Sequence, residues 1–209
     1  MKNNKVVFII LTSITIILSQ LNKEFLNIEN LIFNSMIENY TETEVRDIIN
    51  YKEKLKWLSY LVIPLLLIIK ISITSMALDV GCFIFGKNVK YKKLFNIVVR
   101  AEFIFLLVII FKTSWFYLFQ TNYTLEDLQN FYPLSALNII GYKGLDPWFI
   151  YPFQVLNLFE IAYWFILAYL ISKEINETTE KGFSIVASSY GVGLLIWVVS
   201  VVFLTLNMS

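Results

Sequence analysis

Apolar residues run along the chain in five long stretches, at about 6–21, 57–78, 94–119, 152–171 and 183–206, with polar segments between them. A helix needs about 20 consecutive apolar residues to cross the hydrocarbon core of a bilayer. Each stretch therefore predicts a membrane-spanning helix, and together they predict an all-α, five-helix polytopic bundle filling one domain, residues 1–209. The first stretch is short and follows Met1–Lys5 directly, like the apolar core of a secretory signal. No small-x-small cleavage site follows it, which predicts a retained anchor. Pro64 predicts a kink in the second span. The third, 26 residues long, measures roughly 39 Å as a helix and must tilt or protrude. Pro152 stands at the tolerated first-turn position of the fourth. The fifth carries Ser184, Ala187, Ser188 and Gly191 at spacings that let helix backbones approach closely in lipid, a predicted packing face.

The two larger polar segments, 22–56 and 120–151, are not featureless. Thr41 to Glu44 has the pattern of a capping box, and Val45, Ile48, Ile49, Lys52, Leu55 and Leu58 then mark an amphipathic face. One long helix entering the second span is expected. Thr124 to Asp127 predicts a short helix by the same logic. The remainder of that loop is dense in Phe, Tyr, Trp, Pro and Gly, and its aromatic rings suit the headgroup layer. A folded cap on the membrane surface is expected.

Composition agrees with the spans and narrows the chemistry. Hydrophobic residues make up 57% of the chain and charged residues 16%, far from the balance of a soluble domain. There is no histidine and one cysteine, Cys82. Serine–histidine and cysteine–histidine catalysis and histidine-ligated metals therefore lack their essential residue. No Walker loop, dinucleotide fingerprint or metal-ligand cluster is present. The net charge of +1 offers no field for nucleic acid. The expectation is a non-enzyme with no cofactor or metal.

Orientation follows the lysine bias of short loops. Eight basic residues (Lys2, Lys5, Lys87, Lys90, Lys92, Lys93, Lys173 and Lys181) crowd the small connections on one side. Lys23, Arg46, Lys52, Lys54, Lys56 and Lys143 are spread thinly over the larger loops of the other. The N-terminus is predicted in the cytoplasm and the C-terminus outside. Abundant Ile, Asn and Lys, as in chains coded by AT-rich DNA, point to a bacterial inner membrane.

Charges inside spans are costly and mark candidate sites. They are Lys70, Arg100, Glu102, Lys112 and Glu160. Lys112, near the outer end, and Arg100, near the inner end, are placed to snorkel. Lys70 and Glu102 share a depth on consecutive spans, so a Lys70–Glu102 pair is expected, with Arg100 as rival and Glu160 as third member. Such a group either fixes helix register or lines a polar path. Lys87, Lys90, Lys92 and Lys93 predict contact with anionic lipid.

Three passages carry a family likeness. Phe85–Phe95 resembles the short glycine-and-basic loop of the Yip family, the Ypt/Rab-interacting membrane proteins, in its bacterial branch. Tyr132–Ser135 resembles the stretch before that family's fourth span. Asn157–Trp164 is similar to its Asn/Asp-Leu-Phe-x-x-x-Trp core. The resemblance covers about residues 57–207 and implies five spans, a cytoplasmic N-terminus and a non-enzymatic, partner-binding role, with no catalytic residues. The functional expectation is an accessory or scaffold subunit that binds other membrane proteins, such as transporter or secretion subunits, and membrane lipids. The alternative is a small permease or channel.

Overall fold

In hydrocarbon a backbone must satisfy its own hydrogen bonds, which favours helices wherever the apolar runs lie. The computed structural model describes residues 2–37 and 39–208, and among them there is no strand. The helices are α1 (Lys2–Phe25), α2 (Ile28–Ile37), α3 (Glu42–Lys54), α4 (Lys56–Ile84), α5 (Tyr91–Ala101), α6 (Ile104–Leu118), α7 (Leu125–Asn130), α8 (Ala136–Ile140), α9 (Pro147–Val155), α10 (Leu158–Ile175), α11 (Thr179–Val186) and α12 (Val192–Met208). A π-helical turn, Ala187–Gly191, joins α11 to α12.

Four segments are long and apolar enough to cross a membrane: Lys5–Phe25, Lys56–Ile84, Tyr91–Leu118 and Thr179–Asn207. The expected fourth span, 152–171, is not continuous. Its chain breaks at Leu156 and Asn157, where the Asn157 side chain accepts a hydrogen bond from the Glu160 amide at 2.8 Å and caps α10. Pro152 consequently lies inside the separate α9, and Pro147 takes the first-turn position there. Capping satisfies an otherwise orphaned amide, and an asparagine three residues ahead of a glutamate is the signal for it. What remains, α10, is 18 residues long and carries Glu160, Lys173 and Glu174.

Two further expectations change. The long helix expected from Thr41 into the second span is two helices meeting at Leu55, whose amide bonds to both Tyr51 and Lys52 carbonyls. The 94–119 helix is interrupted at Glu102 and Phe103, where Phe105 and Leu106 bond to carbonyls three residues back instead of four. The expected short helix after Thr124 is present as α7. Its Thr124 and Asp127 cap each other, with Thr124 N donating to Asp127 at 2.8 Å and Asp127 N donating to Thr124 at 3.1 Å.

The main core gathers Ile71 and Leu78 of α4, Leu94 and Val98 of α5, Tyr163, Leu167 and Ile171 of α10, and Ile185 and Val186 of α11. Helices α10 and α11 pack as a tight hairpin. A Cβ on Gly182 would stand 2.2 Å from the Ala168 carbonyl oxygen, so only glycine permits this approach. A second, smaller cluster (Leu26, Phe116 and Leu128) holds the α1–α2 turn and α7 against the end of α6. Long apolar faces of α4 and α12, such as Leu65, Leu66, Leu195 and Ile196, remain exposed.

Candidate functional site

Lys70 is the middle residue of the 29-residue α4, about 21 Å along the helix from either end. Its ammonium donates to Glu102 Oε2 at 2.8 Å. The same ammonium stands 3.8 Å from the centre of the Phe105 ring and 5.6 Å from that of Tyr163. Glu102 is only 3% exposed. Its second oxygen accepts from the buried Tyr163 hydroxyl at 2.8 Å. The interruption between α5 and α6 falls at Glu102 itself.

Tyr163 links this pair to a second carboxylate. Its ring meets Tyr190 of the π-helical turn edge-on, centroids 5.4 Å apart. The Tyr190 hydroxyl donates to Glu160 Oε1 at 2.8 Å, and Trp164 Nε1 donates to the same oxygen at 3.0 Å. Gly191, next in the turn, leaves room for the Trp164 indole, since a Cβ there would fall 2.5 Å from the ring. The result is a network of two hydrogen-bonded groups, joined through the Tyr163–Tyr190 ring contact, across α4, the α5–α6 break, α10 and the π-helical turn. Its formal charges are one ammonium and two carboxylates, and only neutral donors contact Glu160. Tyr132, in the loop before α8, lies beside it. Burial first, then the negative charges of Glu160 and Glu102, push the Tyr132 phenol up to about 12.

The other candidate residues separate. Arg100 is exposed and stands outside the network. Lys112 donates to the Leu128 carbonyl at 2.6 Å. At the basic end of the bundle Lys87 pairs with Glu177 and Lys93 with Glu174, while Lys90 and Lys92 are exposed. Lys87 holds the Glu177 carboxyl below its usual range. Two of the four lysines expected to meet lipid thus fasten the α4–α5 loop and the start of α5 to the end of α10 and the residues just after it. The expected small-residue face also divides. Gly191 is buried and Ala187 half-buried, but Ser184 and Ser188 are exposed. Of that face only Gly191 makes a close approach, to Trp164, and the others are made by Gly182 against Ala168 and by Ser189 against Gly81.

The aromatic members of the network were not marked out in the sequence. Tyr163 lies three residues beyond Glu160, one turn along the same face, which was an available signal. Nothing in the sequence pattern announced Tyr190. In the loop between α6 and α9, Tyr142 donates to Asp127 Oδ1 at 2.7 Å. That bond holds the Asp127 carboxyl below its ordinary value and raises the Tyr142 phenol to about 12.

Among the described residues no group of three His, Cys, Asp or Glu side chains gathers to hold a metal ion. No protein-family model, curated protein or solved structure matches the chain.

Proposed function

We propose that this is a multi-pass membrane protein of a bacterial inner membrane that works as a non-enzymatic scaffold or accessory subunit, binding other membrane proteins. The observation that carries the reading is how the intramembrane polar groups are used. Lys70 and Tyr163 bond to Glu102, Tyr190 and Trp164 bond to Glu160, and among the described residues no buried side-chain nitrogen or oxygen lacks a partner. A satisfied network fixes helix register. It leaves the long apolar faces of α4 and α12 as the surfaces available to neighbouring helices. In this reading α10 is the fifth span, the N-terminus is cytoplasmic, and the larger loops face outward, as the lysine bias favours. The resemblance of residues 57–207 to the bacterial Yip branch points the same way.

A permease is the second reading, favoured by the meeting of a helix interruption and a π-helical turn at charged residues, since π-turns frequently accompany functional sites. Co-purification from native membranes in a mild detergent separates the two. A stoichiometric membrane-protein partner supports the scaffold, and solute flux through liposomes containing the purified chain alone would sink it. Cysteines placed at Asn39 and Asn122 should react with impermeant reagents in intact cells, and one at Asn88 should not. The reverse pattern inverts the orientation.

A further inference from the structure

At the end of the bundle formed by α1, α2, α3, α6 and α7 lies a groove of about 540 Å³ whose lining combines two chemistries. Ile32, Met36, Leu125 and Leu128 are apolar, while Lys52 and Lys112 supply two ammonium groups. No carboxylate is among the lining residues, and neither lysine takes part in an ion pair among the described residues. Lys112 is half-buried and uses one N–H, donated to the Leu128 carbonyl at 2.6 Å. It stands six residues before the last residue of α6, about 9 Å along the axis, the depth at which headgroups meet acyl chains.

We propose that this groove binds the headgroup and upper acyl chain of an anionic phospholipid, its phosphate between Lys52 and Lys112. An unpaired ammonium at the edge of the hydrocarbon is costly, and a phosphate supplies the missing negative charge. The apolar wall formed by Ile32, Met36, Leu125 and Leu128 takes the chain. A soluble anion would leave that wall empty, and a zwitterionic lipid would leave the net positive charge uncompensated.

The test is native mass spectrometry of the full chain with equimolar palmitoyl-oleoyl phosphatidylglycerol and phosphatidylcholine. At about fivefold per lysine, the anionic lipid is retained about 25-fold better. Lys52→Met, an exposed change that leaves the fold intact, lowers this preference about fivefold, as does Lys112→Met. Lys112→Arg keeps most of it, and Lys143→Met, outside the groove, leaves it unchanged. Equal retention of the two lipids overturns the proposal, and so does an equal loss in Lys143→Met and Lys52→Met. Displacement of the lipid by equimolar glycerol phosphate or oleate would overturn the assignment to a phospholipid.

Discussion

Removing either Lys70 or Glu102 should strand the charge of the other, and the structure sets the cost. In Lys70→Met the Glu102 carboxylate stays 3% exposed with only the Tyr163 hydroxyl to stabilise it. An uncompensated buried charge of this kind typically costs about 3–5 kcal/mol. In Glu102→Gln the survivor is Lys70, whose side chain is 44% exposed. It keeps its place over Phe105, but at the middle of α4 the exposed part faces hydrocarbon, too far from either end of the helix to reach water. An ammonium stranded in hydrocarbon, offset only in part by the surviving cation–π contact, puts that cost at about 3–5 kcal/mol as well. The double variant buries no charge and should be more stable than Lys70→Met alone. The coupling between the two sites is then at least about 3 kcal/mol, at the top of the range seen for directly bonded residues. Reversible unfolding in bicelles with increasing dodecyl sulfate, followed by helical circular dichroism, measures all four proteins. Additive single costs would refute the pairing.

Gly182→Ala should destabilise by about 1–3 kcal/mol through overpacking, because the new methyl meets the Ala168 carbonyl. Gly193→Ala, with open space around it, should be neutral or gain up to about 1 kcal/mol in the same unfolding assay. Asn157→Ala should cost about 1 kcal/mol by removing the α10 cap, and hydrogen exchange should then quicken first at Glu160 N–H. The Asp127–Tyr142 contact has a defined pH window. Asp127, lowered from 3.8, contributes stability above that value and loses it as pH falls through the lowered one. Tyr142, raised from 10.0 to about 12, contributes below 10.0 and loses its contribution as pH rises between those values. In Tyr142→Phe the carboxyl carbon-13 titration of Asp127 should move up toward 3.8, and an unchanged midpoint would show that the bond does not form.

The membrane-crossing segments were legible because twenty-odd apolar residues leave few alternatives to a helix in lipid. The Lys70–Glu102 contact was legible for a related reason. A charge inside an apolar run has few affordable surroundings, and two such charges at matched depths on adjacent helices restrict each other. Breaks within helices were harder to read. Glu102–Phe103 and Asn157 interrupt segments whose hydropathy runs on, and Leu55 interrupts an amphipathic pattern that continues past it, since composition reports burial and not the path of the backbone. The small-residue stripe divides for another reason: in regular α11, before the π-helical turn begins, Ser184 is already exposed while Gly182, Ile185 and Val186 are buried, so the face turned inward is not the one the spacing marks.

These departures from regular helix meet in one place. The α5–α6 interruption lies at Glu102, the α10 cap fixes the backbone at Glu160, and the π-helical turn carries Tyr190 and Gly191. A backbone amide freed within hydrocarbon costs several kcal/mol unless satisfied again, so three irregularities gathered around one network call for a common cause. The geometry supplies it in part. Gly191 makes room for the Trp164 indole, whose N–H reaches Glu160, and the adjacent Tyr190 reaches the same oxygen. If the turn exists to place those two donors, shortening it by one residue to restore regular helix should separate Tyr190 from Glu160. The deletion of Ser188 should then cost stability in a Glu160-dependent way. Combined with Glu160→Gln it should cost measurably less than in the parent chain, because the carboxylate it strands is gone. Equal costs in both backgrounds would mean that the turn serves packing alone.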